Sequence, residues 1–262
     1  MPTCEIIEGE CLQALQTLPD ASFQLIYIDP PFNTGQLRVS PGESGASYED
    51  SFDDLPSYLE PRLREALRLL TPTGSLFVHL DPREVHYVKV LLDQIFSRAS
   101  FKNEIIWSYD FGGRSKERWP AKHDNILWYT RDPARYTYHF DQVERIPYMA
   151  PGWVSQEKQE AGKTLTDVWW HTIVPTAGAE RARGENYPTM KPVGLLNRIV
   201  RVHSNLGDTV LDFFAGSGTT GEAALSNDRN CVLVDQNPQA VATMRRRLAG
   251  LQGSVLEMFA IR

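Results

Sequence analysis

Short apolar runs at 4–8, 23–28, 75–80, 103–108, 125–130, 208–214 and 231–235 alternate with longer amphipathic stretches. That alternation predicts an α/β fold, a mostly parallel sheet with helices on both faces. Over 55–70, Tyr58, Leu59, Leu63, Ala66, Leu67 and Leu70 fall near one helical face, and "TPTG" is expected to end that helix. Further helices are expected at 83–97, 191–204, 219–226 and 238–249. From about 131 to 188 prolines, glycines, paired tryptophans and mixed charge replace the alternation. This segment reads as an irregular insert, dividing the chain into 1–130, 131–188 and 189–262. No internal repeat or low-complexity tract is present.

Composition narrows the picture. With 262 residues and 42% hydrophobic content, the chain can bury a large core. A net charge of −6 argues against holding a polyanion by bulk positive charge, so such a contact has to be local. Cys4, Cys11 and Cys231 are too far apart for a disulfide framework or a zinc spacing, and no two histidines stand at ligand spacing. A reduced protein without a structural metal is expected. The opening "MPTCEIIEGEC" has acids where a signal peptide needs basic and then apolar residues, and no run of 18 apolar residues occurs, so a cytoplasmic location is expected.

In "DTVLDFFAGSGTTGEAAL", 208–225, an apolar strand runs into Gly216, Gly218 and Gly221 and then a helix. Glycines there let backbone N–H groups approach a ligand, and the helix N-terminus favours negative charge. The spacing is also G-x-G-x-x-G, so a dinucleotide fingerprint has to be weighed; no Gly-Lys-Ser/Thr follows, which excludes a Walker A loop. The next strand ends in Asp235, an acid suited to accept from both hydroxyls of an adenosine ribose, a group shared by NAD and S-adenosylmethionine. Its alternative role is to cap the helix beginning near Pro238.

What separates the two cofactors is "LIYIDPPFNTG", 25–35, where an apolar strand stops at Asp29, Pro30, Pro31 and Phe32. Hydride transfer has no use for this stretch, whereas methyl transfer to an exocyclic amine does. The amine of adenine or cytosine is a poor nucleophile because its lone pair is delocalised into the ring. Hydrogen bonds from that amine to the Asp29 carboxylate and the Pro30 carbonyl favour a more tetrahedral nitrogen and stabilise the charge it gains. Pro31 stiffens the turn, and Phe32 offers a face for a base that has left its helix.

"DPPF" with "NTG", together with "DFFAGSGTT", resembles the DNA amino-methyltransferases that modify adenine N6 or cytosine N4. The order, catalytic stretch first and glycine loop last with an insert between, is similar to the circularly permuted β class. The resemblance implies a Rossmann-like methyltransferase fold, with 131–188 as the target-recognition insert between catalytic and cofactor-binding parts. It assigns catalysis to Asp29, Pro30, Pro31 and Phe32. It places S-adenosylmethionine against Asp29, Asp212, Phe213, Phe214, Ala215, Gly216, Ser217, Gly218, Thr219 and Thr220, with Asp235, Gln236 and Asn237 towards the ribose. "YPTMKPVGLL", 187–196, is similar to the family segment before its cofactor helix, bringing in Thr189, Lys191 and Pro192. In "IIEGEC" the family often has Gly-Asp; here Gly9-Glu10 keeps an acceptor on a longer arm, with Cys11 beside it.

Lesser signals have competing readings. "FGGRSKERWPAKHD", 111–124, carries Arg114, Lys116, Arg118 and Lys122 after a Gly-Gly hinge, suited to DNA phosphates or to a solvated loop. His123 and Asp124 are assigned to structure. Asp81 is expected to cap helix 83–97, with a cofactor or base contact as the alternative. Trp169 and Trp170 either pack the insert's own small core or stack into distorted DNA. The insert is not strongly basic, so sequence reading there rests on specific hydrogen bonds.

The expected activity is site-specific methylation of a flipped base in double-stranded DNA, without metal, adenine N6 being favoured over cytosine N4. A homodimer is possible for an acidic chain that must grip a duplex. The rivals are a catalytically inactive nucleic-acid-binding module, an NAD oxidoreductase that leaves "DPPF" unexplained, and methylation of RNA or of a protein glutamine amide.

Overall fold

The computed structural model describes residues 1–32, 36–39, 47–50, 54–109, 113–170, 191–251 and 255–260, of which 36–39, 47–50 and 255–260 are described as backbone strands. The first part of the chain runs β1 (Thr3–Glu8), α1 (Cys11–Thr17), β2 (Phe23–Ile28), β3 (Gln36–Val39), β4 (Ser47–Asp50), α2 (Leu55–Leu69), β5 (Leu70–Leu80), α3 (Val85–Phe96), β6 (Phe101–Ser108) and β7 (His123–Thr130). Short elements follow: β8 (Arg145–Ile146), α4 (Gln156–Ala161), β9 (Lys163–Thr164) and β10 (Val168–Trp169). The chain ends with α5 (Val193–His203), β11 (Thr209–Asp212), α6 (Thr219–Ser226), β12 (Asn230–Asp235), α7 (Pro238–Ala249) and β13 (Val255–Ala260).

Nine strands form one sheet in the order β10-β6-β7-β5-β2-β11-β12-β1-β13, while β3–β4 and β8–β9 are separate antiparallel pairs. Every pairing in the large sheet is parallel except the two made by β7, which runs against both β5 and β6. Central β2 is buried at all six positions, which is why it reads as an unbroken apolar run. Alternate strand residues feed two core layers. Ile26, Ile28, Val78 and Leu211 pack under α1, α2 and α3; Leu25, Tyr27, Val210 and Leu233 pack under α5, α6 and α7. Helices therefore cover both faces, as expected.

Two expected helices, 219–226 and 238–249, coincide with α6 and α7. The "TPTG" stretch does more than end α2: the chain enters β5 at Leu70, which pairs with Phe23. Asp81 does cap the approach to α3, accepting from the N–H groups of Arg83 at 3.0 Å and Glu84 at 3.3 Å. Not anticipated among the described residues were α1, the β3–β4 hairpin, β13, α4, the β8–β9 pair and β10. The last lies inside the segment read as irregular, yet it pairs with β6 as an edge strand of the main sheet. All three cysteines are buried free thiols. No helix among the described residues is long and apolar enough to cross a membrane.

Candidate active site

Parallel strands deliver the residues that follow them to one edge of a sheet, and ligands gather there. β2 and β11 are neighbours in the register Leu25↔Val210 and Ile26↔Leu211, and β11 and β12 are neighbours in the register Asp212↔Leu233. Asp29, Asp212 and the glycine turn, and Asp235 therefore leave the sheet side by side. Residues almost two hundred positions apart meet at this edge because β2 and β11 pair.

Asp29 points into that meeting place. Its Oδ2 lies 3.0 Å from Lys191 Nζ, with 19% of the Asp29 side chain and 11% of the Lys191 side chain exposed. The same ammonium stands 4.7 Å from the centre of the Phe32 ring. Asp29 Oδ1 is buried and has no hydrogen-bond partner among the described residues. A buried acceptor of this kind is costly unless a donor arrives, so the arrangement fits an N–H donor lying against Phe32. Pro192, next to Lys191, is the N-cap of α5. Thr189 and the "NTG" of 33–35 lie outside the described residues.

Beneath Phe32 is a hydrogen-bonded layer that sequence reasoning missed. The His79 ring stacks on Phe32 with centroids 6.1 Å apart and has Trp107 edge-on at 5.5 Å. Its Nε2 lies 3.0 Å from Asp124 Oδ2, and its Nδ1 lies 2.7 Å from the Tyr27 hydroxyl. Tyr109 donates its hydroxyl to Asp124 Oδ1 at 2.9 Å. Burial pushes the Asp124 carboxyl up, but hydrogen bonds from His79 and Tyr109 and attraction to His79 and Lys191 outweigh it and hold the group below its ordinary value. Both ring nitrogens of His79 are thus paired, Nε2 with the Asp124 carboxylate and Nδ1 with the Tyr27 hydroxyl. The structural role expected of Asp124 is the one it has. His79 was hidden because one histidine inside an apolar strand carries no pattern.

The glycine turn is held from behind. Asp212 is buried and accepts the Phe214 N–H at 3.0 Å and the Thr220 hydroxyl at 2.5 Å. Burial is the chief cause that pushes its carboxyl up to about 7; those two bonds oppose it, while the charges of Asp29 and Asp235 add to it. Asp235 accepts from Gly216 N–H at 2.9 Å and Asn237 N–H at 2.8 Å, and burial pushes it up to about 6 against these bonds. Capping of α7 belongs to Asn237, whose side chain accepts from Gln239 N–H at 2.9 Å, which leaves Asp235 tying the two loops together. Gly218 has φ +78°, and a Cβ there would stand 2.8 Å from Met244 Cγ; one on Gly221 would stand 2.6 Å from Leu233 Cδ1. The turn and the close seating of α6 on β12 thus both need glycine.

The remaining expected residues divide by burial. Ser217 and Thr219 are buried and receive Arg247 Nη1 at 3.1 and 3.0 Å; the same guanidinium donates Nε to Glu222 at 2.5 Å. These hydroxyls shape the loop from inside. Phe213 belongs to the core and Ala215 is buried, whereas Phe214 is half-buried between Phe213 and Tyr58 and Gln236 is exposed. Glu10 is the N-cap of α1, accepting from Leu12 and Gln13 N–H at 3.0 Å each, and it pairs with Arg62 at 2.6 Å. Arg62 also donates to Cys11 Sγ at 3.0 Å. Glu10 and Cys11 are committed to this local cluster.

Arg114, Lys116 and Arg118 are exposed on the loop between β6 and β7, and Lys122 Nζ donates to Gly113 O at 2.9 Å. The first glycine of the Gly-Gly pair lies outside the described residues. Trp169 does not stand in the insert's own core or in solvent: it is buried against Trp107 in the main sheet's second core layer, with Arg198 4.8 Å from its ring centre. Burial removes it from the surface available for stacking on DNA, while Trp170 is half-exposed. Among the described residues no three His, Cys, Asp or Glu side chains group to hold a metal ion.

Comparison with known proteins agrees with this geometry. A family model described as DNA methylase of the N6/N4 type matches residues 23–246. The DNA adenine methyltransferase YhdJ of Escherichia coli (strain K12) is 30% identical over 258 residues, covering 93% of this chain and 82% of that protein. Type II methyltransferase M.HpaI of Haemophilus parainfluenzae is 28% identical over 244 residues, covering 93% and 73%. Two solved structures share the fold. The cytosine-N4-specific PvuII DNA methyltransferase has a TM-score of 0.69 at 15% identity, covering 93% of this chain and 86% of that one. The M1.HpyAVI–SAM complex has a TM-score of 0.65 at 20% identity, covering 94% and 98%. The chain thus belongs to the N6/N4 DNA methylase family, the amino-methyltransferases that move a methyl group from S-adenosylmethionine to an exocyclic amine of a DNA base.

Proposed function

We propose that this chain methylates the N6 amine of an adenine flipped out of double-stranded DNA. The observation that carries the proposal is the buried, unpartnered Asp29 Oδ1 beside the Phe32 ring, at the edge shared with the glycine turn. The residues present fit S-adenosylmethionine: each Asp235 carboxylate oxygen keeps a lone pair for a ribose hydroxyl, and Phe214 borders a turn opened by Gly216 and Gly218. Bound there, the cofactor supplies an electrophilic methyl on a cationic sulfur.

The chain's own residues do the rest. Asp29 Oδ1 and the Pro30 carbonyl accept the two amine hydrogens, holding the nitrogen more tetrahedral and offsetting the positive charge it gains. Charge stabilisation is the task of Asp29: no proton is removed beforehand, and once the nitrogen has taken the methyl from the sulfur, leaving S-adenosylhomocysteine, its surplus proton would pass by way of Asp29 Oδ1 to water. Lys191 keeps the Asp29 carboxylate oriented through Oδ2, and Phe32, seated on His79, gives the base a face. Cytosine N4 fits the same acceptors; adenine is preferred because the 30% identical relative is named an adenine methyltransferase.

In the same reading the chain is a circularly permuted β-class enzyme that works in the cytoplasm. Residues 1–130 and 189–262 are its catalytic and cofactor-binding parts, and 131–188 reads the target sequence. Arg114, Lys116, Arg118 and Lys122 meet phosphates, and Trp170 stands towards the DNA. A second copy of the chain assists in gripping the duplex.

Asp29→Ala should bind S-adenosylmethionine as the wild type does in equilibrium dialysis yet lose nearly all methyl transfer to unmethylated plasmid DNA. Wild-type turnover in that variant overturns the role of Asp29. Digesting the product to nucleosides and weighing them identifies the base: N6-methyl-2′-deoxyadenosine is expected, and N4-methyl-2′-deoxycytidine overturns the adenine assignment.

A further inference from the structure

Resting on the DNA methylation proposed above, we infer that Trp119 is the side chain that enters the duplex and fills the gap left by the flipped base.

Trp119 is 97% exposed, whereas Trp107, Trp128 and Trp169 are buried; Trp153 at 92% and Trp170 at 47% are exposed too, but neither stands in a run of basic residues. A large indole left in water has no part in the fold, and an exposed tryptophan among cations is how a protein presents a wedge to a stack of bases. The surrounding charge is local. From 113 to 122 the loop carries Arg114, Lys116, Arg118 and Lys122 against the single acid Glu117, in a chain whose net charge is −6. Such a patch suits a phosphate backbone and not an acidic chain's own surface. Pro120 follows directly and restricts the backbone behind the indole.

The position is the stronger observation. β6 and β5 both run opposite to β7, so the loop after β6 emerges at the same edge as Asp29. Its two ends are joined by Tyr109 N–H donating to Lys122 O at 2.9 Å. Both ends are also rooted in the layer under Phe32: Tyr109 holds Asp124, and Asp124 holds His79, on which Phe32 stacks. Within the loop, Ser115 Oγ accepts from the N–H groups of Glu117 and Arg118 at 3.2 and 3.3 Å, fixing the turn that leads into Trp119. One hydrogen-bonded layer thus supports the face that receives the base and the loop that presents a replacement for it. An inserted indole restores the stacking lost by the neighbouring bases, which lowers the cost of extrusion.

The test compares Trp119→Ala and Trp119→Phe with wild type on two duplexes. The target site is first read by sequencing a plasmid methylated by the wild-type enzyme. One duplex then carries that site fully paired; the other carries an abasic position opposite the target base, so extrusion is already nearly free. Trp119→Ala should methylate the paired duplex at least tenfold more slowly than wild type and the abasic duplex within about twofold, with Trp119→Phe between. Circular dichroism melting of all three proteins should coincide, because the side chain is in solvent. Wild-type activity of Trp119→Ala on the paired duplex overturns the inference, as does an equal loss on both duplexes, which would make the indole a general contact. A wild-type protein that methylates no plasmid DNA fails the proposed function instead, a separate result.

Discussion

Lys191→Met removes an ammonium 3.0 Å from Asp29 Oδ2 and leaves a side chain of comparable length. At that distance the attraction is about 5.5 kcal/mol at an effective dielectric constant of 20. Desolvation returns part of it, since both groups are mostly but not wholly out of water. Exposed pairs couple by about 0.2–1 kcal/mol, and breaking a fully buried pair costs about 3–5 kcal/mol. With 11% and 19% exposure, the pair sits between these limits, and a coupling of about 2 kcal/mol is expected. Urea unfolding of wild type, Lys191→Met, Asp29→Asn and the double variant measures it. Lys191→Met alone should lose about 2–3 kcal/mol, because an unpaired carboxylate stays at the site. Adding Asp29→Asn should recover much of that loss. A coupling below about 0.5 kcal/mol would place the pair among exposed ones and refute the claim that Lys191 fixes the Asp29 carboxylate.

Three further outcomes are expected. Gly221→Ala forces a Cβ to within 2.6 Å of Leu233 Cδ1 and should cost about 1–3 kcal/mol in urea unfolding, lifting α6 and weakening S-adenosylmethionine binding in dialysis. His79→Phe keeps a ring under Phe32 but strands Asp124 and Tyr27; it should lose about 2–4 kcal/mol, and adding Asp124→Asn should restore part of the loss, which a purely steric effect would not allow. Asp212, pushed up to about 7, holds its proton more tightly folded than unfolded, so its contribution to stability falls as pH rises from about 4 to about 7. Asp212→Asn should flatten the difference between urea midpoints measured at pH 5 and pH 8.

The pattern of apolar runs showed the strands and most helices because buried parallel strands are apolar at every position, as β2 is. It missed α1, a helix of seven residues held by the Glu10 cap and the Arg62 pair, since that support comes from α2 and not from local periodicity. β10 was missed because two residues carry no period; its place is set by pairing with β6. In the site, Asp29, Phe32 and the glycine turn were legible since their chemistry demands unusual neighbours in sequence. His79, Arg247 and Glu222 were not. Each acts on a residue far away in the chain, and their roles exist only once the sheet has formed.

Three carboxylates, Asp29, Asp212 and Asp235, share this edge, and Asp212 is raised chiefly by burial, with repulsion from the other two adding to it. Protonated Asp235 has lost one of the acceptor oxygens that a ribose needs, and a cationic sulfur gains nothing from a neutral carboxyl. Ionised Asp235 and Asp212 favour both groups, and the positive ligand in turn lowers the cost of ionising them. Affinity for S-adenosylmethionine should therefore rise as pH climbs through about 6, where Asp235 ionises, and level off above about 7, where Asp212 has followed. Equilibrium dialysis from pH 5 to pH 8 measures this directly. Asp235→Asn should bind weakly throughout and lose the lower part of the slope, while S-adenosylhomocysteine, which lacks the sulfur charge, should show a shallower rise. An affinity that is flat or falls across this range would mean that these acids serve only the loop, and the ribose would have to be held elsewhere.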